Sequence, residues 1–230
     1  MTEFERFGHR FKFFLGDRVG EMWFEWGGDT GEIAFLWEHM VEPGDVIFEC
    51  GAHHGELTVL FAHRVGQEGK VVAFEPVPRN VEILERQVEL NGFENVQIVP
   101  AAVGQEPGQV RITDESNAQV SPKGPGIDVP VVRLDDYLHL KPTLLKIDVE
   151  GFEATLLKGA QQVLATKPKI SLEIHTSSLS RYGTSAEEIL ELVGWESYEW
   201  WRQFPGEDEV LPWDREPVDR TIHIFGKPIG

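Results

Sequence analysis

The chain has 230 residues, 41% of them hydrophobic and 26% charged, which fits one soluble globular domain and excludes disordered and fibrous classes. A formal net charge of −18, from 39 acids against 21 Lys and Arg, weighs against a nucleic acid or an anionic membrane as partner, because phosphate recognition needs clustered cations. A single cysteine, Cys50, excludes an internal disulfide, and neither a secretory signal nor a spanning apolar run is present, so a cytoplasmic location is expected.

Residues 1–42 read as an N-terminal extension whose Trp23, Phe24, Trp26, Phe35 and Trp37 cover one end of the core or the substrate cleft. From Val46 onward short apolar runs alternate with amphipathic segments, the pattern of β-α units around a parallel sheet. Strands are predicted over 46–49, 70–75, 96–103, 144–149 and 170–175, and helices over 56–65, 79–91, 152–164 and 185–193. Residues 46–175 form the cofactor-binding core in this reading. The Pro- and Gly-rich stretch from Gly104 to Pro130 is an excursion with short strands near the crevice or on the surface. The last part, 176–230, is a substrate-side segment with a late strand over 221–225 beside one over 196–201. Its Trp195, Trp200, Trp201, Phe204 and Trp213 suit either a flap over the site or the packing of a C-terminal hairpin.

The sharpest chemical signal is Val46-Ile47-Phe48-Glu49-Cys50-Gly51-Ala52-His53-His54-Gly55, a strand running into a glycine turn and then a helix. Gly51 permits a tight turn and close backbone approach by a ligand, and Gly55 opens a helix whose free N–H groups suit a carboxylate. Glu49 would repel a diphosphate but accept from an ammonium group, which favours a methionine-like moiety. His54 reads as a surface residue at the helix start. Glu75 ends the next strand, where one β-α unit brings a carboxylate beside the turn and within reach of ribose hydroxyls. S-adenosylmethionine carries both features. His53 and Pro76 flank these positions and are assigned to the cofactor with them. No acid ends the third strand, so Ala101 and Ala102, or Asp114, Ser116 and Asn117 from the following loop, would meet the adenine.

The third signal is Lys146-Ile147-Asp148-Val149-Glu150-Gly151, an apolar strand ending in acids. Together with Glu49 to Gly55, Val72 to Pro76, Arg86 to Gly92, Ala101 to Gly104 and Leu134 to Asp136, it resembles the FkbM-type family of class I S-adenosylmethionine-dependent methyltransferases over residues 46–175. The resemblance implies a doubly wound α/β fold with a mainly parallel seven-stranded sheet and helices on both faces. It also implies that Glu49, Gly51, Ala52 and Gly55 line the methionine end, that Glu75 meets the ribose, and that Asp148 stands at the reaction centre. The family is associated mainly with O-methylation of sugars and secondary metabolites. Two departures stand out: Glu49 where Asp is usual, and the His53-His54 pair where small or aliphatic residues are usual.

An alcohol acceptor gains from a base within hydrogen-bond reach, and Asp148, Glu150, Glu173 and His175 are the candidates, since parallel strands end at one sheet edge. Glu173 and His175 share a strand face. Asp148, Glu173 and His175 would alternatively hold a divalent metal, although no metal is the favoured reading. The acceptor is a small molecule, a glycan or a peptide. N-methylation, a nicotinamide-dependent oxidoreductase and a non-catalytic cofactor-binding protein stay open as rivals.

Overall fold

The computed structural model describes residues 1–16, 18, 30–121 and 123–229. Trp23, Phe24 and Trp26 lie outside the described residues. The chain opens with an antiparallel hairpin of β1 (Thr2–Arg6) and β2 (His9–Phe13), and α1 (Thr30–Phe35) continues into a π-helical turn, Leu36–Met40. The core then runs β3 (Val46–Cys50), α2 (Glu56–Val65), β4 (Lys70–Phe74), α3 (Pro78–Asn91) and β5 (Val96–Val99). After it come β6 (Ala102–Val103), β7 (Gly108–Ile112), β8 (Ile127–Val132) and a 3-10 turn, Leu134–Leu140. The remainder is β9 (Leu144–Ile147), α4 (Glu153–Lys158), α5 (Gln161–Ala165), β10 (Lys169–Ile174), α6 (Thr176–Leu179), α7 (Ala186–Val193), β11 (Tyr198–Gln203), β12 (Leu211–Pro212) and β13 (Ile222–Pro228).

The main sheet has the order β12-β11-β13-β10-β9-β3-β4-β5, eight strands where seven were expected. Strands β10, β9, β3, β4 and β5 are parallel neighbours, and β13, β11 and β12 are added antiparallel. The extra strand is a two-residue edge pairing, Trp201 with Pro212 and Arg202 with Leu211. Proline is tolerated there because an edge strand leaves one side without ladder bonds. The chain leaves β3 toward β4 and β5 on one side and returns to β9 and β10 on the other. The carboxyl ends of β3 and β9 therefore flank a topological switch point, where an open α/β sheet forms its ligand crevice.

Side-chain alternation splits the core into two layers. Phe48, Val72, Phe74, Leu145 and Ile147 pack on one face, and Ile47, Val71, Ala73, Leu144 and Phe225 on the other. The described part of the N-terminal extension covers the second layer, with Leu36 and Met40 buried and the Phe35 ring 4.8 Å from that of Phe225. The C-terminal aromatics also belong to the core: Trp200 and Trp213 are buried, and Trp195 and Phe204 pack against the first layer. In this structure the segment packs as a C-terminal hairpin on the sheet.

Two predicted elements break. The strand expected over 96–103 divides at Pro100, which has no N–H to give; β5 stays in the main sheet and β6 joins a three-stranded sheet of order β6-β8-β7. The helix expected over 152–164 becomes α4 and α5, divided at Gly159 and Ala160, where the chain passes so close to Gly104 that a Cβ on Gly159 would lie 2.1 Å from its carbonyl oxygen. No helix among the described residues is long and apolar enough to cross a membrane.

Candidate active site

The turn after β3 is shaped by close approach. Gly51 has φ +88°, and a Cβ there would lie 1.8 Å from the Asp148 carbonyl oxygen, so the tips of β3 and β9 can meet only through glycine. The Asp148 N–H donates to the Cys50 carbonyl at 3.0 Å and fixes the junction. Gly55, φ +86°, precedes α2 where a Cβ would strike Leu84.

Glu75 follows β4 and is buried, accepting the His53 N–H at 2.8 Å, the Val77 N–H at 2.9 Å and the Asn80 side-chain amide at 3.2 Å. Burial pushes its pKa up to about 7 against these three donors. A carboxylate offers roughly four acceptor positions, so capacity for an incoming hydroxyl remains. Asn80 also donates to the Ser116 carbonyl at 2.9 Å, and Ser116 Oγ lies 2.6 Å from His53 Nε2, which ties the loop after β7 to the glycine turn. His54 is buried, 3.1 Å from Asn80 Oδ1 and stacked on His53, which corrects the expectation of a surface residue.

A cavity of about 470 Å³ opens at the switch point, within the range of small-molecule sites. Gly51, His53, Glu75, Pro76, Ala102 and Asn117 line one part, and Asp148, Glu150, Glu173 and His175 line another. Ala101 and Ser116 line it too, whereas Asp114 does not. Glu49, Ala52 and Gly55, expected at the methionine end, are not among the lining residues. Glu49 is buried beneath the turn, where Thr58 Oγ1 donates to it at 2.6 Å and burial pushes its pKa up to about 8.

The reaction-side cluster is one charge network. His175 Nε2 lies 3.4 Å from Glu173 Oε1 and 3.7 Å from both Asp148 Oδ1 and Glu150 Oε2; its Nδ1 is 2.8 Å from Glu153 Oε1. Burial works against a charged ring, but the Glu153 hydrogen bond and the carboxylates of Glu173 and Asp148 outweigh it and raise the pKa to about 9. Behind this layer Lys146 Nζ is 3.1 Å from Glu32 and 3.7 Å from Asp148, and His223 Nε2 is 3.1 Å from Glu173. Burial disfavours the Asp148 charge, yet Lys146, His175 and His223 together hold its carboxyl below the usual range. Glu173 and Glu150 are shifted up by burial.

Asp148, Glu173 and His175 can each offer one ligand atom within 4.8 Å of the others, so a divalent ion fits the donor set. Three protein cations already face the same carboxylates. Sequence reasoning missed Glu153, Lys146, Glu32, His223 and Asn80. A lone Lys in the apolar run Leu144-Leu145-Lys146-Ile147 was the available signal, since a buried ammonium requires carboxylate partners.

The methyltransferase FkbM domain model matches residues 49–199. Methyltransferase 1 of Beauveria bassiana (strain ARSEF 2860) is 27% identical over a region covering 40% of this chain and 49% of that protein. The crystal structure of methyltransferase FkbM from Methylobacillus flagellatus KT superposes with TM-score 0.53 at 17% identity, covering 83% of this chain and 49% of that one. A putative rRNA-methylase from Clostridium thermocellum gives TM-score 0.55 at 13% identity, covering 86% of this chain and 94% of that one. The chain thus spans about half the length of the fungal and Methylobacillus relatives, and the structural likenesses establish the class I, Rossmann-like methyltransferase fold. With that fold and a family match across most of its length, the chain belongs to the FkbM methyltransferase domain family.

Proposed function

We propose that the chain transfers a methyl group from S-adenosylmethionine to a hydroxyl of a small molecule, sugar or secondary metabolite. The observation that carries this reading is one cavity flanked by Gly51 and Glu75 on one side and by Asp148 and His175 on the other. The residues fit the cofactor: the Gly51 backbone lines the cavity with no side chain in the way, Glu75 keeps acceptor capacity for a ribose hydroxyl, and the small side chains of Ala101 and Ala102 leave room for a planar base beside Asn117.

When bound, the sulfonium supplies an electrophilic methyl carbon that passes to the acceptor oxygen as the carbon–sulfur bond breaks, leaving S-adenosylhomocysteine. The chain's own share is alignment and proton handling. Glu75 and the Gly51 backbone would hold the cofactor, and Asp148, its carboxyl kept charged by Lys146, His175 and His223, would stabilise its positive charge. His175 Nε2 takes the acceptor proton. In the empty site the surrounding carboxylates keep the ring protonated at neutral pH. A cationic ligand beside Asp148 opposes a second positive charge and lowers the ring's pKa, so the base becomes available when the site is filled.

The carboxylate-rich reaction side favours oxygen over amine nitrogen. An amine beside Asp148, Glu150 and Glu173 would be held as ammonium, with no lone pair to donate. Among the described residues lining the cavity there is no Lys or Arg, which, with the net charge of −18, argues against a nucleic-acid acceptor and against a dinucleotide pyrophosphate. The test is methyl-labelled S-adenosylmethionine with a panel of hydroxyl and amine acceptors. The label is expected in a methyl ether with stoichiometric S-adenosylhomocysteine; label on nitrogen overturns the oxygen assignment.

A further inference from the structure

Glu153 is the first residue of α4, a position where a glutamate ordinarily faces water and the helix dipole. Here it is 0% exposed. Its Oε1 accepts the Gly151 N–H at 2.8 Å and lies 2.8 Å from His175 Nδ1, while its buried Oε2 has no hydrogen-bond partner among the described residues. A carboxylate buried with one oxygen unsatisfied is a poor way to stabilise a fold, since an apolar side chain of that size would serve better.

The turn before α4 is built to hold this group. Glu150 has φ +54° and Gly151 φ +100°, and a Cβ on Gly151 would lie 2.5 Å from Ser178 Cβ. That backbone path aims the Gly151 N–H at Glu153. His175 is anchored at the other end, where it precedes α6 and its carbonyl accepts the Ser178 N–H at 2.9 Å. The two ring nitrogens then meet unlike surroundings: Nδ1 has one short contact, and Nε2 faces Glu173, Asp148 and Glu150 at 3.4–3.7 Å on the cavity side.

We propose that Glu153 is the positioning residue of the site: it fixes the proton of His175 on Nδ1, so that Nε2 alone exchanges a proton with the acceptor. The catalytic meaning rests on the methyl-transfer reading; the fixed tautomer does not. A hydrogen bond at one imidazole nitrogen sets the chemistry of the other.

The tautomer is readable by long-range ¹H–¹⁵N correlation of the histidine rings in the full chain, above the His175 pKa of about 9. The wild type is expected to carry the proton on Nδ1. Glu153→Gln keeps an oxygen that the Gly151 N–H holds in place, and retains that tautomer. Glu153→Leu removes the acceptor and shifts the ring toward Nε2–H, with kcat falling by about tenfold or more and KM little changed. A wild-type ring protonated on Nε2, or a Leu variant with unchanged ring signals, overturns the proposal, and the wild-type spectrum decides even if the Leu variant does not fold. Calorimetric titration with S-adenosylmethionine on the same samples separates the two readings: no binding heat removes the methyl-transfer role and leaves the tautomer result standing.

Discussion

Gly51→Ala probes the junction on which the cleft depends. The new Cβ would start 1.8 Å from the Asp148 carbonyl oxygen, so the tips of β3 and β9 must separate by about 1.2 Å to reach even a tight 3.0 Å contact. The Asp148 N–H donates to the Cys50 carbonyl at the same junction, so separating the two tips strains that bond as well. The left-handed backbone at φ +88° costs roughly 1–2 kcal/mol for any L-residue, and forced repacking adds about 1–3 kcal/mol. At about 2–4 °C per kcal/mol for a chain of this size, the melting temperature should fall by roughly 4–20 °C. Gly92→Ala is the control: Gly92 ends α3 at φ +69° with no described residue near its missing Cβ, so only the backbone cost of about 1–2 kcal/mol applies. Calorimetric melts of both variants, with cofactor titration of each, separate clash from conformation. If Gly51→Ala melts no lower than Gly92→Ala and binds cofactor as the wild type does, the close-approach argument is wrong.

His175→Ala should lower turnover by about 10²–10⁴-fold with cofactor affinity nearly kept, since it removes the proton acceptor and leaves the Gly51 and Glu75 side intact; steady-state kinetics beside cofactor titration check both. Stability should fall from mildly acidic to alkaline pH. His175 and His223 are raised from 6.5 to about 9, so their contribution is full below 6.5 and lost as pH rises through 9. Glu49 and Glu75, raised from 4.5 to about 8 and about 7, also bind more protons folded than unfolded and push in the same direction. Melting temperatures measured from about pH 6 to about pH 9 should therefore decline, and a rising curve refutes these assignments. Turnover should survive exhaustive chelation, because Lys146, His175 and His223 already balance Asp148 and Glu173; activity lost to a chelator and restored by Mg²⁺ or Mn²⁺ would assign the trio to a metal.

The strand-turn-helix at Val46–Val65 was legible because alternation, glycine and helix period agree locally, and the ends of β4 and β9 could be placed because parallel strands share an edge. Glu49 was expected at the methionine end because the pattern fixes a residue's strand and not the partner its side chain finds; in the structure Thr58, in the first turn of α2, donates to it. The charge network was out of reach for a different reason. Glu32 comes from the N-terminal extension and His223 from the last long strand, and only the antiparallel register of β10 with β13 sets His223 opposite Glu173. Glu153 was hidden by its position, since a glutamate opening a helix looks like solvent-facing surface until the Glu150-Gly151 turn folds it inward.

Calorimetric titration of the wild-type chain with S-adenosylmethionine, beside Glu75→Gln and a nicotinamide dinucleotide as competing ligand, tests the cofactor assignment most directly. Saturable binding of the sulfonium compound, weakened about tenfold or more in Glu75→Gln and absent for the dinucleotide, is the predicted result. No binding heat, or an affinity indifferent to Glu75, would contradict it.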